Sequence, residues 1–274
     1  MMDFLQYDFM LRALAAGLIT ALVAPTIGIF FVVRRYSSMA DAIAHFSLAG
    51  VAVSLVIGTA AIPTALAVSV ISVLGIERMR ERRNLPSDTI VSLFLFGGLA
   101  VAVLLLGLAR GKNANVMNYL FGSIMTVTNT DLLLISVIGG LTVAITAILW
   151  PSLFAISVDE ETAEAHGLPT RWLNRTLAIL GAATVAISMN VVGVLLIGAL
   201  MVVPVLAAMK LRVGFLRTWA VSVVVSAISV VLGLMASYEW NLASGGAIVL
   251  VALLGFAACS LLGDVVARRT RQTM

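Results

Sequence analysis

The sequence has little of what a soluble enzyme would need. Charged residues make up 11% of its 274 residues, whereas a typical soluble domain has about 25%. Its single cysteine, Cys259, excludes both an internal disulfide and a cysteine cluster for metal. It has two histidines but no His-Glu-x-x-His pair. It also lacks a glycine-rich phosphate-binding loop, so it cannot hydrolyse ATP by that route. We therefore expect a protein that is not an enzyme.

Apolar residues dominate the chain instead, at 61%. A membrane span needs roughly 20 mainly apolar residues, and lipid favours helices because it leaves no backbone group unsatisfied. The alternation typical of a membrane β-barrel is absent. The sequence predicts an all-α polytopic membrane protein, a single transmembrane domain over residues 1–274 with eight to nine spans. The nine candidate spans cover about 11–33, 38–58, 60–76, 89–109, 130–150, 173–192, 193–210, 218–237 and 245–263.

The basic residues are divided unequally between the two sides of the membrane. With nine spans, Arg12, Arg110 and Lys112 fall on one side, and the remaining 14 of the 17 Lys and Arg residues fall on the other. The richer side is predicted to be cytoplasmic. The N-terminus is then external and the C-terminus cytoplasmic. Because the basic residues flank separate spans and form no single patch, we expect no nucleic-acid partner.

Two connections between spans are unusual. The external segment 110–129 is semi-apolar and too short to span, so it predicts an interfacial or half-inserted helix, or else a plain loop with anchoring aromatics. The cytoplasmic segment 151–172 predicts a short acidic helix, which Ser157 or Asp159 caps and Gly167 stops. This helix is either a solvated connector or a docking element for a partner protein.

Asp41 and His45 are the most informative polar residues. Four residues at about 100° each bring the two side chains to one face of a helix, one turn apart. A carboxylate near the bilayer centre costs about 3 kcal/mol on insertion scales. Both groups can bind Zn²⁺ or Mn²⁺, although two ligands do not close a site. A hydrogen-bonded pair between helices and a proton relay are the alternatives. Asn190 is either a third ligand or a cap at a helix end.

Four motifs occur along the chain, and they are Arg34–Ala52 with its Asp-x-x-x-His, Tyr119–Ser123, Ile156–Pro169 and Val192–Pro204. These motifs resemble those of the membrane permeases of the ABC transporter family that imports zinc and manganese, of the metal-chelate importer type. They occur in the order expected for the family, and the likeness extends over about residues 12–265.

The resemblance implies that Asp41 and His45 line the translocation path and contact the metal. The metal is then the transported substrate, and no cofactor is permanently bound. The resemblance also implies a homodimer in the bacterial plasma membrane, two cytoplasmic ATPase subunits and an extracytoplasmic metal-binding protein. The segment of about 156–169 would couple the permease to the ATPase. The coupling residues it implies are Asp159, Glu160, Glu161, Ala163 and Gly167.

The residues after the histidine bear on the metal. Manganese-type members often read His-Ala-Val-Leu-Pro-Gly, whereas this chain reads His45-Phe-Ser-Leu-Ala-Gly50, which resembles the zinc branch more closely. A manganese or iron importer of the same family is the alternative. From another class, a self-sufficient secondary transporter would use Asp41 as a proton or ion site. In the family reading, the Asp41–His45 pair should lie well inside the membrane, with Arg34 and Arg35 below it.

Overall fold

The computed structural model describes residues 7–82, 85–109, 116–123, 125 and 127–272, with only the backbone for residues 262–272. Within these ranges the secondary-structure elements are all helices, which confirms the all-α prediction. The helices are α1 (Asp8–Val33), α2 (Ser37–Ile57), α3 (Ala61–Glu81), α4 (Ser87–Leu108), α5 (Val116–Phe121), α6 (Asn129–Val158), α7 (Glu160–Ala165), α8 (Thr170–Val192), α9 (Ile197–Lys210), α10 (Phe215–Trp240) and α11 (Ser244–Gln272).

Eight of the described helices are long and apolar enough to cross a membrane, and α9 is a shorter apolar helix. This confirms the prediction of eight to nine spans. The predicted span over 193–210 is wrong at its start, because α9 begins at Ile197 and has 14 residues. At 1.5 Å per residue, α9 covers about 21 Å, less than the roughly 30 Å of a hydrocarbon core. The connection before α9 must therefore lie within the membrane layer.

The four residues between α8 and α9 are held by the chain around α5. Gly193 has φ +86°. The N–H of Val194 donates to the Tyr119 carbonyl at 2.9 Å, and the N–H of Leu195 donates to the Leu120 carbonyl at 3.2 Å. A Cβ on Gly193 would lie 2.5 Å from the carbonyl oxygen of Leu120. Non-helical backbone is tolerated at membrane depth where protein satisfies it, and α5 provides this.

The segment 110–129, which the sequence predicts to be external, therefore contains a short helix, as one of its two interpretations expected. This helix is α5, and it packs beside the end of α8. Residues 110–115, 124 and 126 of the segment lie outside the described residues, and these include Arg110 and Lys112.

Contacts at the helix ends define two faces of the molecule. On one face the Tyr7 ring lies 6.2 Å from the Tyr238 ring, and Arg12 Nη1 donates to Asn129 Oδ1 at 3.5 Å. On the opposite face Arg34 Nη1 donates to Asn174 Oδ1 at 2.6 Å. Arg12 and Arg34 therefore lie on opposite faces, as the distribution of basic residues predicted. That the Arg34 face is cytoplasmic remains a prediction.

The helices α1 and α8 form the centre of the bundle. In their most apolar stretches 72% and 83% of residues are buried, against 22% in α4 and α6, so the last two lie at the outside of the chain. Close approach at the centre depends on glycine. A Cβ on Gly28 of α1 would lie 2.0 Å from the main-chain oxygen of Met201, so α1 and α9 touch backbone to backbone. Small residues allow such contacts between membrane helices.

Gly28→Ala should separate α1 from α9. Because the obstructing atom belongs to a backbone, it cannot rotate away, and we expect a loss of about 1–3 kcal/mol in stability, the usual cost of overpacking. The measurement is thermal unfolding of the purified protein in detergent. Gly140→Ala is the matched control, since no atom lies within 4 Å of a Cβ there. Equal unfolding temperatures for the two variants would contradict the packing.

Candidate functional site

Asp41 and His45 lie on α2, one helical turn apart, as predicted. Asp41 is exposed on the surface of the single chain, and His45 is half-buried. The residues between them are buried, so only this polar edge of the turn faces outward. His45 Nδ1 is buried and has no hydrogen-bond partner among the described residues. An unpartnered imidazole nitrogen is uncommon in a folded protein, because buried polar groups are nearly always paired.

The Asp41 carboxylate lies against the beginning of α9. A Cβ on Gly198 would lie 2.1 Å from Asp41 Oδ1, so the absence of a side chain at this position makes room for the carboxylate. Gly198 is the second residue of α9, which ends at Lys210. At 1.5 Å per residue, Gly198 lies about 18 Å along the helix axis from Lys210. This distance supports the expectation that Asp41 lies within the membrane layer.

One chain offers few metal ligands at this place. Within the described part of the chain, no group of three or more His, Cys, Asp or Glu residues is close enough to hold a metal ion. As a metal site, Asp41 and His45 would offer two protein ligands. A transition metal usually takes at least four ligands. The remaining ligands would come from water, from another helix or from a second molecule.

Asn190 lies near the end of α8 and is buried. Its main-chain carbonyl accepts a hydrogen bond from the N–H of Ser123 at 3.2 Å. Asn190 is therefore part of the break between α8 and α9, which is where the helix-end interpretation would place it. Its role as a third metal ligand stays a prediction.

The acidic helix predicted within segment 151–172 is α7. Asp159 is its N-cap, because Oδ1 accepts from the N–H of Thr162 at 3.0 Å. Ser157, the alternative cap, lies inside α6. The hydrogen bonds from the side chain and then the backbone of Thr162 lower the pKa of Asp159, which keeps the cap ionised at neutral pH. Gly167, with φ +82°, follows the helix and ends it as expected.

The acidic residues of α7 have different surroundings. Glu161 is exposed, whereas Glu160 turns inward. The Glu160 carboxylate forms an ion pair with Arg34, and its Oε1 accepts from Asn174 Nδ2 at 2.7 Å. Ala163 is the buried residue of the helix, at 5% exposure. These partners were not predictable from the sequence, because Arg34 is 126 positions from Glu160.

The ion pair of Glu160 joins a larger polar cluster at this face. The Arg34 side chain is 4% exposed. Burial lowers the pKa of its guanidinium and the attraction of Glu160 opposes that shift, so the group stays charged. The guanidinium carbons of Arg34 and Arg80 lie 4.9 and 4.2 Å from the centroid of the Tyr36 ring. Beside this cluster is a cavity of about 460 Å³, the acidic cavity, whose lining includes Glu77, Glu161 and Glu164.

Several curated proteins are similar to nearly the whole chain. A "Probable metal transport system membrane protein" of Treponema pallidum (strain Nichols) is 36% identical, over 91% of this chain and 94% of the relative. The "Manganese transport system membrane protein MntC" of Listeria innocua is 30% identical, over 92% and 90%. The "High-affinity zinc uptake system membrane protein ZnuB" of Haemophilus influenzae is 27% identical, over 89% and 94%.

A solved structure and a family model agree with these relatives. The structure titled "PsaBC from Streptococcus pneumoniae in complex with Fab" has a chain that superimposes with a TM-score of 0.85 at 29% identity, covering 94% of this chain and 93% of that chain. The family model described as "ABC 3 transport family" matches residues 6–263. The match extends over the helix of Asp41 and His45, the break before α9 and the acidic helix α7. This chain therefore belongs to the ABC 3 transport family, as its motifs indicated.

Proposed function

We propose that this chain is the membrane-spanning subunit of an ATP-driven importer of divalent transition metals, with zinc as the substrate. The observation that carries the proposal is the Asp41–His45 pair on α2, in which His45 Nδ1 is buried and unpartnered. A carboxylate and an imidazole on one helix face suit Zn²⁺ or Mn²⁺. A polar pair within a membrane helix is costly and usually marks a path for ions or protons.

The exposure of Asp41 supports a site shared by two molecules. A charged side chain on the outer surface of a membrane helix would otherwise face lipid. If two copies of the chain meet along α2, their two Asp41–His45 pairs supply four protein ligands around one pore. A transported ion must also leave, so ligands divided between two separable subunits suit a transporter better than a closed site.

Zinc is proposed over manganese because of the segment that follows His45, since His45-Phe-Ser-Leu-Ala-Gly50 resembles the zinc branch. The relatives named for zinc and for manganese are similar to the chain over almost the same length, at 27% and 30% identity. Overall similarity therefore does not choose between the two metals.

The energy for transport would come from a separate ATPase. The chain has no phosphate-binding loop of its own, and we propose that it is a non-catalytic subunit. Helix α7 supports this, because Asp159 and Glu161 point away from the bundle on the face proposed to be cytoplasmic. A short acidic helix held by a cap and a glycine is a defined surface on which an ATPase can dock.

The proposed cycle is alternating access. An extracytoplasmic binding protein releases the metal into an outward-open vestibule, and the ion reaches Asp41 and His45 at the interface of two permeases. ATP binding then draws the two ATPases together, moves α7 and opens the path to the cytoplasm. Both ligands must be deprotonated to bind the metal, so the site also responds to pH.

Removing either ligand should abolish zinc transport. We expect Asp41→Ala and His45→Ala each to lower ATP-dependent uptake of radioactive zinc into vesicles by about tenfold or more, as loss of a metal-orienting group commonly does. Asp88→Ala is a matched control, because it also removes a carboxylate, but from the first turn of α4 and not from α2. Wild-type uptake in both site variants would refute the metal path. Uptake by vesicles that contain this chain without any ATPase would favour the secondary transporter.

Gly198→Ala should displace one ligand without unfolding the protein. The new methyl group would meet Asp41 Oδ1 at 2.1 Å, and a carboxylate can rotate away, so the cost falls on metal binding. We expect a loss of zinc uptake of about tenfold with an unchanged unfolding temperature. The control is Gly97→Ala, where no atom lies within 4 Å of a Cβ. If Gly198→Ala transports zinc like the control, Asp41 does not act from this position.

A further inference from the structure

Three side chains, which we call the Arg34 triangle, join the acidic helix α7 to the end of α1 and to α8. Arg34 pairs with Glu160 Oε2, and Arg34 Nη1 donates to Asn174 Oδ1 at 2.6 Å. Asn174 Nδ2 in turn donates to Glu160 Oε1 at 2.7 Å. Each member of the triangle therefore bonds the other two. Among the described residues, these bonds are the polar link between α7 and the turn that precedes α2.

Arg34 lies where a displacement would act on the metal site. It is the C-cap of α1, and a two-residue turn separates it from α2. Arg35 in this turn is left-handed, with φ 60°. Tyr36 is the N-cap of α2, its N–H donates to the Phe31 carbonyl at 2.7 Å, and its ring contacts the guanidinium of Arg34. The turn is therefore tightly held, and Asp41 lies little more than one helical turn beyond it.

The burial of Arg34 makes its ion pair with Glu160 costly to separate. The Arg34 side chain is 4% exposed, and Glu160 is the only acidic group that forms an ion pair with it among the described residues. Separating them would leave a buried, unpaired guanidinium, which is strongly unfavourable. Ion pairs of this kind, in which both groups are ionised and directed, are among the strongest hydrogen bonds in proteins. The Glu160 side chain is 40% exposed, so the cost of separation falls mainly on the buried Arg34, and we expect Arg34 to follow Glu160 when α7 moves.

We propose that the Glu160–Arg34 ion pair, aligned by Asn174, transmits the movement of α7 to the start of α2 and so to Asp41 and His45. This inference rests on the proposed function. Glu160 and Arg34 act as positioning residues, since neither contacts the metal. Glu160 then has a different role from Glu161, because Glu161 faces the ATPase whereas Glu160 joins α7 to the pore.

The test uses the permease with its ATPase in proteoliposomes and compares zinc uptake with ATP hydrolysis. Glu160→Gln removes the charge but keeps an oxygen that Asn174 can reach. We expect it to retain the ATPase on co-purification and to hydrolyse ATP at a near-normal rate, but to transport about tenfold less zinc per ATP. The exchange variant, Arg34→Glu with Glu160→Arg, should recover most of the uptake. The Asn174 amide can rotate by about 180°, so that its NH₂ group donates to the new glutamate and its oxygen accepts from the new arginine.

Glu81→Gln is the matched control. It removes a carboxylate from the pair that Arg175 forms through two hydrogen bonds, at 2.9 and 2.8 Å, on the same face. That pair joins α3 to α8 and does not involve α7, so zinc transported per ATP should stay normal. If Glu160→Gln does not elute as a folded protein, Asn174→Ala replaces it, since it leaves the ion pair intact, and about a threefold loss is expected.

Two results would overturn the inference. One is a normal ratio of zinc to ATP in Glu160→Gln. The other is a loss of uptake that occurs only together with loss of the ATPase from the complex, which would make Glu160 a docking contact. An absence of ATP-dependent uptake in the wild-type complex is a separate result, and it would refute the proposed function itself.

Discussion

Hydrocarbon offers no hydrogen bonds, and most polar groups of this structure are satisfied within the protein for that reason. Hydroxyl groups inside the spans donate to the carbonyl four residues earlier, as Thr184 does to Leu180 at 2.8 Å and Ser188 to Thr184 at 2.7 Å. The break between α8 and α9 bonds to the chain around α5. His45 Nδ1 departs from this pattern, and it lies on the same helix face as Asp41. Arg12 Nε, Thr20 Oγ1, Ser69 Oγ and Ser226 Oγ are also buried without a partner among the described residues, so the placement of His45 beside Asp41 is what supports the proposed metal path.

The site and the docking helix are both joined to the bundle by contacts between distant parts of the chain. Gly198 of α9 leaves room for the Asp41 carboxylate, and the ion pair of Glu160 fixes α7 against the end of α1. In the proposed mechanism, the first contact orients a metal ligand, and the second determines which part of the chain moves with the ATPase. The path from α7 to the metal helix is short, because Arg34 and Tyr36 lie in the turn immediately before α2.

The sequence predicted features whose causes are local. The cap, first turn and stop of α7 all fall within residues 157–167, and the face shared by Asp41 and His45 follows from their spacing. The start of α9 was not predictable, because the apolar run over 193–210 is continuous and the break depends on the carbonyls of Tyr119 and Leu120. The pairing of Glu160 with Arg34 was not predictable either, because it also joins distant parts of the chain. The contact of Asp41 with Gly198 was not predictable either, because these residues lie far apart in the sequence. That Asp41 lies deep in the membrane stays a prediction, which this contact supports, whereas a count of residues from Arg34 places Asp41 near the membrane edge.

In the proposed mechanism, zinc passes Asp41 and His45 at the interface of two permeases. Anomalous scattering at the zinc edge, from crystals of the permease–ATPase complex grown with zinc, tests this directly. We expect a peak between two α2 helices, about 2.0–2.2 Å from a carboxylate oxygen of Asp41 and a ring nitrogen of His45. A peak in the acidic cavity with none at Asp41 would contradict it.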